Sequence, residues 1–421
     1  MSNTSLIDRF ITATRINRED RINKAFYEHN IKKVLELANR FDLPTNIKIV
    51  YSSSRKVEHV TFSDTSWLIY DQYIGQSMNL LNRIFIEADD STPSISYFHK
   101  VLAERLVSLG KLKEALHCAW HYDISRHVLT PKGTDDLWRG ILTTVHERFL
   151  LYHEFGHRVY SKPELMPATR EQTTIIIEHQ LKQKSKPLEE AILNLKESPP
   201  EAYHNKSLEE AVTEIREQYE SPRSQDFVRS QLSTLQEDQT KEEIFCDIFA
   251  ADLISSETLT NGIDHTQALR AIYIGFYHLQ VFEYLRHFNA IRNIEIEDIE
   301  KNIATVQVRS HCLRAHLIFL HELNLRFIKQ AAEETIAPEI KSLEAQLMKD
   351  QKRYYDVIYD AAMSMTYNLQ RNNKITKFGE AANRKLTKAR KKQNKLQPQP
   401  EELKEIVLLM TGWIQQEELK K

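Results

Sequence analysis

The chain reads as a mainly α protein of the α+β kind, with a small β element near its N-terminus. Apolar residues recur at helical spacing along most of its 421 residues. Only nine glycines and 28% charged residues describe long helices with solvated faces. Strand-like alternation is confined to one stretch, between positions 46 and 62. Such a length exceeds the size at which a single core usually stops growing, so an enlarged domain or two domains are expected.

The opening segment places Ile22, Ala25, Phe26, Ile31, Val34, Leu35, Leu37 and Ala38 at helical spacing, which gives one or two helices in a segment 1–45. Asn46 to Tyr51 and Val57 to Phe62 alternate and are rich in β-branched and aromatic residues, predicting a hairpin with Ser52 to Lys56 as its turn. Trp67 to Phe85 returns to helical periodicity, and Ser96 to His117 reads as two helices bent at Gly110. Leu109 to Leu116 is similar to one turn of a tetratricopeptide repeat, but no second copy follows at that period, so an ordinary helix pair is expected. Pro131 to Gly133 break the chain, and Thr134, with Asp135 and Asp136 after it, supplies an N-cap and first-turn carboxylates for a new helix.

From Arg170 to Glu237 the helices are charged and weakly apolar, and prolines 199, 200 and 222 interrupt them. This segment, 170–237, reads as an insertion. Apolar helices resume over Glu242 to Leu253, Ala268 to Phe288 and Ile303 to Leu325. After Pro338 a polar helix leads to a basic run, Arg384 to Lys395, then a Gln-Pro linker and a short helix around Trp413, so 336–421 reads as a helical tail.

A formal charge of −2 gives no basic field for a polyanion, and the basic run lacks interleaved aromatics, so nucleic acid is not an expected partner. Cys118, Cys246 and Cys312 are scattered and odd in number, which fits small apolar residues in a reducing compartment. Charges at Asp8, Arg9, Arg15, Arg18, Glu19 and Asp20 interrupt any signal-peptide core, and no stretch reaches membrane-span length. A soluble cytoplasmic protein is expected.

The chemistry concentrates in His153-Glu154-Phe155-Gly156-His157. On a helix with Leu137, Ile141, Val145 and Phe149 in its apolar stripe, the two histidines share one face one turn apart and can reach one ion. Two imidazoles and a carboxylate, with the fourth position left to water, are a zinc composition, and Glu154 beside them suits the proton from that water. Phe149-Leu-Leu-Tyr152 just before the motif would bury the helix.

The further carboxylate is offered by Glu243 in Thr240 to Leu253. Glu243 and Asp247 share a helix face; with Glu243 on the metal, Asp247 would accept the free ring N–H of a liganding histidine. Two alternatives stand beside this. Thr240 and Glu243 have capping-box spacing, and Glu242 could take the ligand role, although its i+4 neighbour is Cys246.

His-Glu-Phe-Gly-His followed by Glu-x-x-x-Asp in an apolar helix resembles the gluzincin metallopeptidases, including the ImmA/IrrE-type and Ste24/HtpX-type enzymes. The layout is most similar to the Lit family of phage-exclusion peptidases. That family also places a hairpin and an apolar helix before the motif, here Ile47 to Phe85, and a His-and-Arg segment after the glutamate, here Arg309 to Arg314. The likeness covers roughly Ile47 to Leu325. It departs where Cys312 replaces the usual proline, where the His-to-Arg spacing is shorter, and in the longer stretch between Gly156 and Glu243.

The resemblance implies a zincin-like metallopeptidase core over 46–335 that binds Zn2+ through His153, His157 and Glu243. It implies Glu154 as catalytic base, a protein or peptide substrate, an antiphage or stress role, and translation elongation factor Tu as a substrate. An activating or inhibiting protein partner would hold such an enzyme in check. His311 or Arg314 is expected to polarise the scissile carbonyl. Tyr273, Tyr277 and His278 are expected in the core, and His146 at the surface or behind the metal ligands. The alternatives are an ImmA-like peptidase that cleaves a transcriptional repressor, and a catalytically silent scaffold that keeps zinc to stabilise its helices.

Overall fold

A computed structural model describes residues 3–14, 24–62, 65–109, 111–130, 132–133, 136–197, 206–261, 263–287 and 296–371. The expected cap at Thr134, the bend at Gly110, the basic run and the Trp413 helix lie outside the described residues. The chain forms two units: Met1–Glu154 with Thr258–Asn293 and Ala345–Lys421, and Phe155–Glu257 with Ile294–Glu344. Each is mainly helical, and no described helix is long and apolar enough to cross a membrane.

In the first unit, α1 (Asn3–Thr14) and α2 (Lys24–Arg40) precede a sheet of β1 (Thr45–Val50), β2 (Glu58–Phe62) and β3 (Thr65–Asp71). The order is β1-β3-β2, with β1 parallel and β2 antiparallel to β3. The two segments expected to pair as a hairpin are therefore the sheet's two edges, and the strand between them runs into the stretch read as helix. Leu68, Ile69 and Tyr70 are all buried, so this central strand is a continuous apolar run with no alternation to mark it. Ile7 and Ile11 of α1 pack on Val50 and Ile69, which ties the N-terminal segment to the sheet.

Asp71 ends β3 and starts α3 (Gln72–Glu87) by accepting from the backbone N–H groups of Tyr73 and Ser52 at 3.1 and 3.0 Å. After α4 (Thr92–Ser108) and α5 (Leu112–Ser125), the motif helix α6 runs over Asp136–Tyr160. Leu137, expected in its apolar stripe, is 78% exposed, while Leu142, Val145, Phe149 and Leu150 are buried.

The second unit carries α7 (Pro167–Lys184), α8 (Pro187–Glu197), α9 (Leu208–Glu220), α10 (Pro222–Gln236), α11 (Asp238–Asn261) and α13 (Ile296–Leu323), with α12 (His265–His287) between the last two belonging to the first unit. Pro167, Pro187 and Pro222 each open a helix, where a missing N–H costs nothing. The segment read as an insertion has two parts. Ile176 and Ile177 of α7 and Leu235 of α10 share one core with Ile244, Ile248, Val308 and Cys312, so these helices build the unit. Leu195, Ala211 and Ile215 form a separate small core between α8 and α9. The buried stripe of α7 holds only Ile176 and Ile177 beside Thr169, Thr173 and Gln180, which is why its composition reads as weakly apolar.

The tail is likewise no appendage as far as residue 371. In the first unit, α14 (Glu333–Tyr354) from Ala345 onward and α15 (Asp360–Arg371) bury Leu347, Tyr354, Ala361 and Ala362. His278 is buried between Tyr354 Oη at 2.9 Å and Asn82 Oδ1 at 2.8 Å, and burial holds its pKa well below the ordinary histidine value. Tyr273 and Tyr277 are core residues as expected. His146 is neither at the surface nor behind a ligand. It is fully buried, donates to the Ala271 carbonyl at 2.9 Å, and burial pushes its pKa to about 3. A Cβ on Gly275 would come within 2.7 Å of that imidazole, so only glycine lets the two helices meet there.

Arg353 donates to the carbonyls of Phe85, Ile86 and Ala88, satisfying the end of α3 from a position far along the chain. Arg353→Met should lower the stability of the first unit by about 2–4 kcal/mol, read from the urea midpoint. An unchanged midpoint would return α14 to the status of an appendage.

Candidate metal centre

The boundary between the units falls after Glu154, yet α6 is one unbroken helix from Asp136 to Tyr160. His153 therefore stands one turn before His157 on the same face. In the second unit the end of α6 meets α11 at close range, because Gly156 sits against Cys246. A Cβ at Gly156 would lie 3.2 Å from both Cys246 Cα and Sγ. Flanking this contact, Phe155 packs near Phe249 and Tyr160 near Phe245, with ring centres 6.4 and 5.2 Å apart. The glycine of the motif is thus a packing residue that lets His157 approach the acidic face of α11.

That face carries Glu242 and Glu243. His157 Nε2 lies 3.7 Å from Glu243 Oε1, and its Nδ1 lies 2.8 Å from Glu242 Oε1. The Glu242 oxygen accepts from the imidazole at Nδ1, which turns Nε2 toward Glu243. One donor atom each from His153, His157 and Glu243 falls within 4.8 Å of the other two, a group that can hold a metal ion. Two imidazoles and one carboxylate suit zinc, with a coordination position left over.

Asp247 lies one turn beyond Glu243 on α11. It is 1% exposed and grips Arg309 of α13 with both oxygens, at 2.9 Å to Nε and 3.0 Å to Nη2. Arg309 Nη1 reaches Glu243 Oε2 at 3.0 Å. The carboxylate that accepts from the His157 ring is Glu242, and Asp247 acts on Glu243 through Arg309, which fixes one oxygen of Glu243 and leaves the other facing His157. A carboxylate one turn away is as suited to an arginine from a neighbouring helix as to a histidine, and helix spacing alone does not say which faces it. The capping-box alternative for Glu243 falls away because α11 begins at Asp238, which places Thr240 inside the helix.

Glu154 Oε2 accepts the backbone N–H of His59 on β2 at 3.1 Å, which orients the motif's carboxylate within the first unit. His311 and Arg314 are drawn to another place in the second unit. His311 Nδ1 is 3.2 Å from Lys184 Nζ, and both residues line a groove of about 440 Å³ with Tyr219, Phe227 and Gln231. Burial, then the nearby Lys184 and Arg314, push the His311 pKa to about 3. Sequence reasoning singled out their segment but missed Arg309 at its start, the member that reaches Glu243.

Asp247→Asn should keep the fold and weaken zinc binding about ten- to a hundredfold, measured by competition with a chromophoric chelator. Arg309→Gln should weaken it similarly and also cost about 3–5 kcal/mol of stability, because a buried carboxylate loses its countercharge. Parent-like zinc affinity in Asp247→Asn would remove the positioning role. Comparison with protein-family models, with curated proteins and with solved structures finds no match to this chain.

Proposed function

We propose that this chain is a zinc-dependent endopeptidase with a zincin-like core, acting on a protein or peptide substrate. The observation that carries the reading is the group His153, His157 and Glu243, with a further carboxylate, Glu154, next to the first histidine on the same helix. Structural zinc sites close all four positions with protein ligands, whereas three ligands and an open position are the composition of hydrolytic sites.

Bound zinc would supply Lewis-acid polarisation of the scissile carbonyl and bring the acidity of water to near neutrality. Glu154 takes the proton of the attacking water and returns it to the departing amine nitrogen. The His59 N–H holds this carboxylate in place before the reaction, so little reorganisation is needed. His157 must be neutral at Nε2 to ligate, and Glu242 keeps its proton on the other nitrogen. Glu243 is fixed by Arg309, and Arg309 by Asp247.

Substrate access is supported by the sheet. β2 pairs only with β3 among the described strands, so its other edge can take an extended peptide through main-chain hydrogen bonds. That edge strand also bears the His59 N–H that meets Glu154.

The test is proteome-wide detection of new N-termini after incubating a cell extract with the zinc-loaded chain, beside its Glu154→Gln variant. The parent should generate a defined set of termini. The variant should hold the same zinc and generate fewer than about one in a hundred, since general-base catalysis contributes about 10²–10⁴-fold. Equal termini from both proteins would overturn the role of Glu154. Zinc without any Glu154-dependent cleavage would favour a metal-stabilised scaffold.

A further inference from the structure

Apart from this centre, the first unit gathers three imidazoles where α4 packs on α5. His117 and His121 stand one turn apart on α5, and His99 faces them from α4. The ring centres of His99 and His121 are 4.9 Å apart and stacked, those of His117 and His121 are 4.4 Å apart, and those of His99 and His117 are 6.3 Å apart. We propose that His99, His117 and His121 form a second metal site, for a divalent transition ion of the zinc class, that pins α4 to α5.

Three observations support it. The first is spacing. A metal–nitrogen distance of about 2.0–2.1 Å, with a further ~1.1 Å from nitrogen to ring centre, puts tetrahedrally arranged ring centres about 5 Å apart. The observed separations of 4.4, 4.9 and 6.3 Å bracket that value. The nitrogens are not gathered as closely as the donors of the first centre. Rotation about the Cβ–Cγ bond redirects them while leaving each ring centre nearly in place.

The second is an unmet hydrogen-bonding need. His99 Nδ1 is buried and has no hydrogen-bond partner. A buried polar atom left so costs about 1–3 kcal/mol, and a metal ion would answer it. The third is protonation. Burial, then the neighbouring His121 and His117, push the His99 pKa to about 3, and burial followed by His121 takes His117 to about 4. Burial also lowers the His121 pKa. Neutral imidazoles are the form that binds metals, so no proton has to be displaced at pH 7. All three rings are half-buried, which leaves an ion a path in and a position for water.

The site is independent of the proposed peptidase centre, and the test separates them. Zinc content after dialysis against a weak chelator should be two ions per chain for the parent. It should be one for His153→Ala/His157→Ala and one for His117→Asn/His121→Asn. In the full chain carrying His153→Ala and His157→Ala, added zinc should raise the Tm by several degrees, and His99→Gln or His121→Asn should abolish that rise. These replacements keep polarity at half-buried positions, and circular dichroism of the metal-free proteins would verify their fold. No zinc and no thermal response in the His153→Ala/His157→Ala chain would overturn the second site. So would retention of the second ion by His99→Gln.

Discussion

A guanidinium that is 3% exposed must have its charge answered inside the protein, and the second unit is arranged around the answer given to Arg309. Asp247 takes two of its nitrogens and Glu243 a third, so one cation from α13 fixes two acids a turn apart on α11. A second polar tie lies further along the same helices, where His316 Nε2 is 2.7 Å from Asp252 Oδ1 and Thr169 of α7 donates to the other oxygen at 2.9 Å. Around these ties the contact is apolar, with Ile244, Ile248, Val308 and Cys312 in one core. Sliding α13 by one turn would keep an apolar contact but leave buried carboxylates without their cation. The polar pairs therefore set register more than they add stability.

That register decides what Glu243 can do. With Oε2 held by Arg309, its remaining oxygen is directed at a histidine whose tautomer is set by the neighbouring Glu242. The adjacent glutamates thus have separate tasks, one orienting an imidazole and the other standing beside its second ring nitrogen. Gly156 permits this by removing the side chain that would hold the two helices apart.

The parts of the site that lay within one helix were legible in the sequence, because a spacing of four residues fixes a shared face whatever surrounds it. His153 with His157, and Glu243 with Asp247, are of that kind. The parts that depend on which helix packs opposite were not. Arg309, Glu242 as the acceptor for His157, and the departure of His311 and Arg314 toward α7 and α10 all follow from tertiary neighbours that periodicity does not encode. The same distinction holds for the fold. Helices with clear stripes were located, while β3 was hidden because a strand buried on both faces lacks alternation. The polar α7 and α14 were taken for peripheral because a few apolar residues in a whole helix suffice to join a core. Pro222 interrupts the helices as expected, and does so by opening α10 directly after α9.

Neither unit is contiguous in the chain. The first is assembled from residues 1–154, 258–293 and 345 onward, while the second is complete once residue 344 is in place. During synthesis the second unit therefore has all its parts before the first, whose sheet and early helices must wait for Tyr354 to reach His278 and for Arg353 to cover the end of α3. The half of the motif that bears His153 and Glu154 belongs to the unit that is finished last. A nascent chain released early would present the acidic face of α11 and His157 without a completed frame around Glu154, so the order of translation itself delays the finished setting of the motif until nearly the whole described chain has left the ribosome.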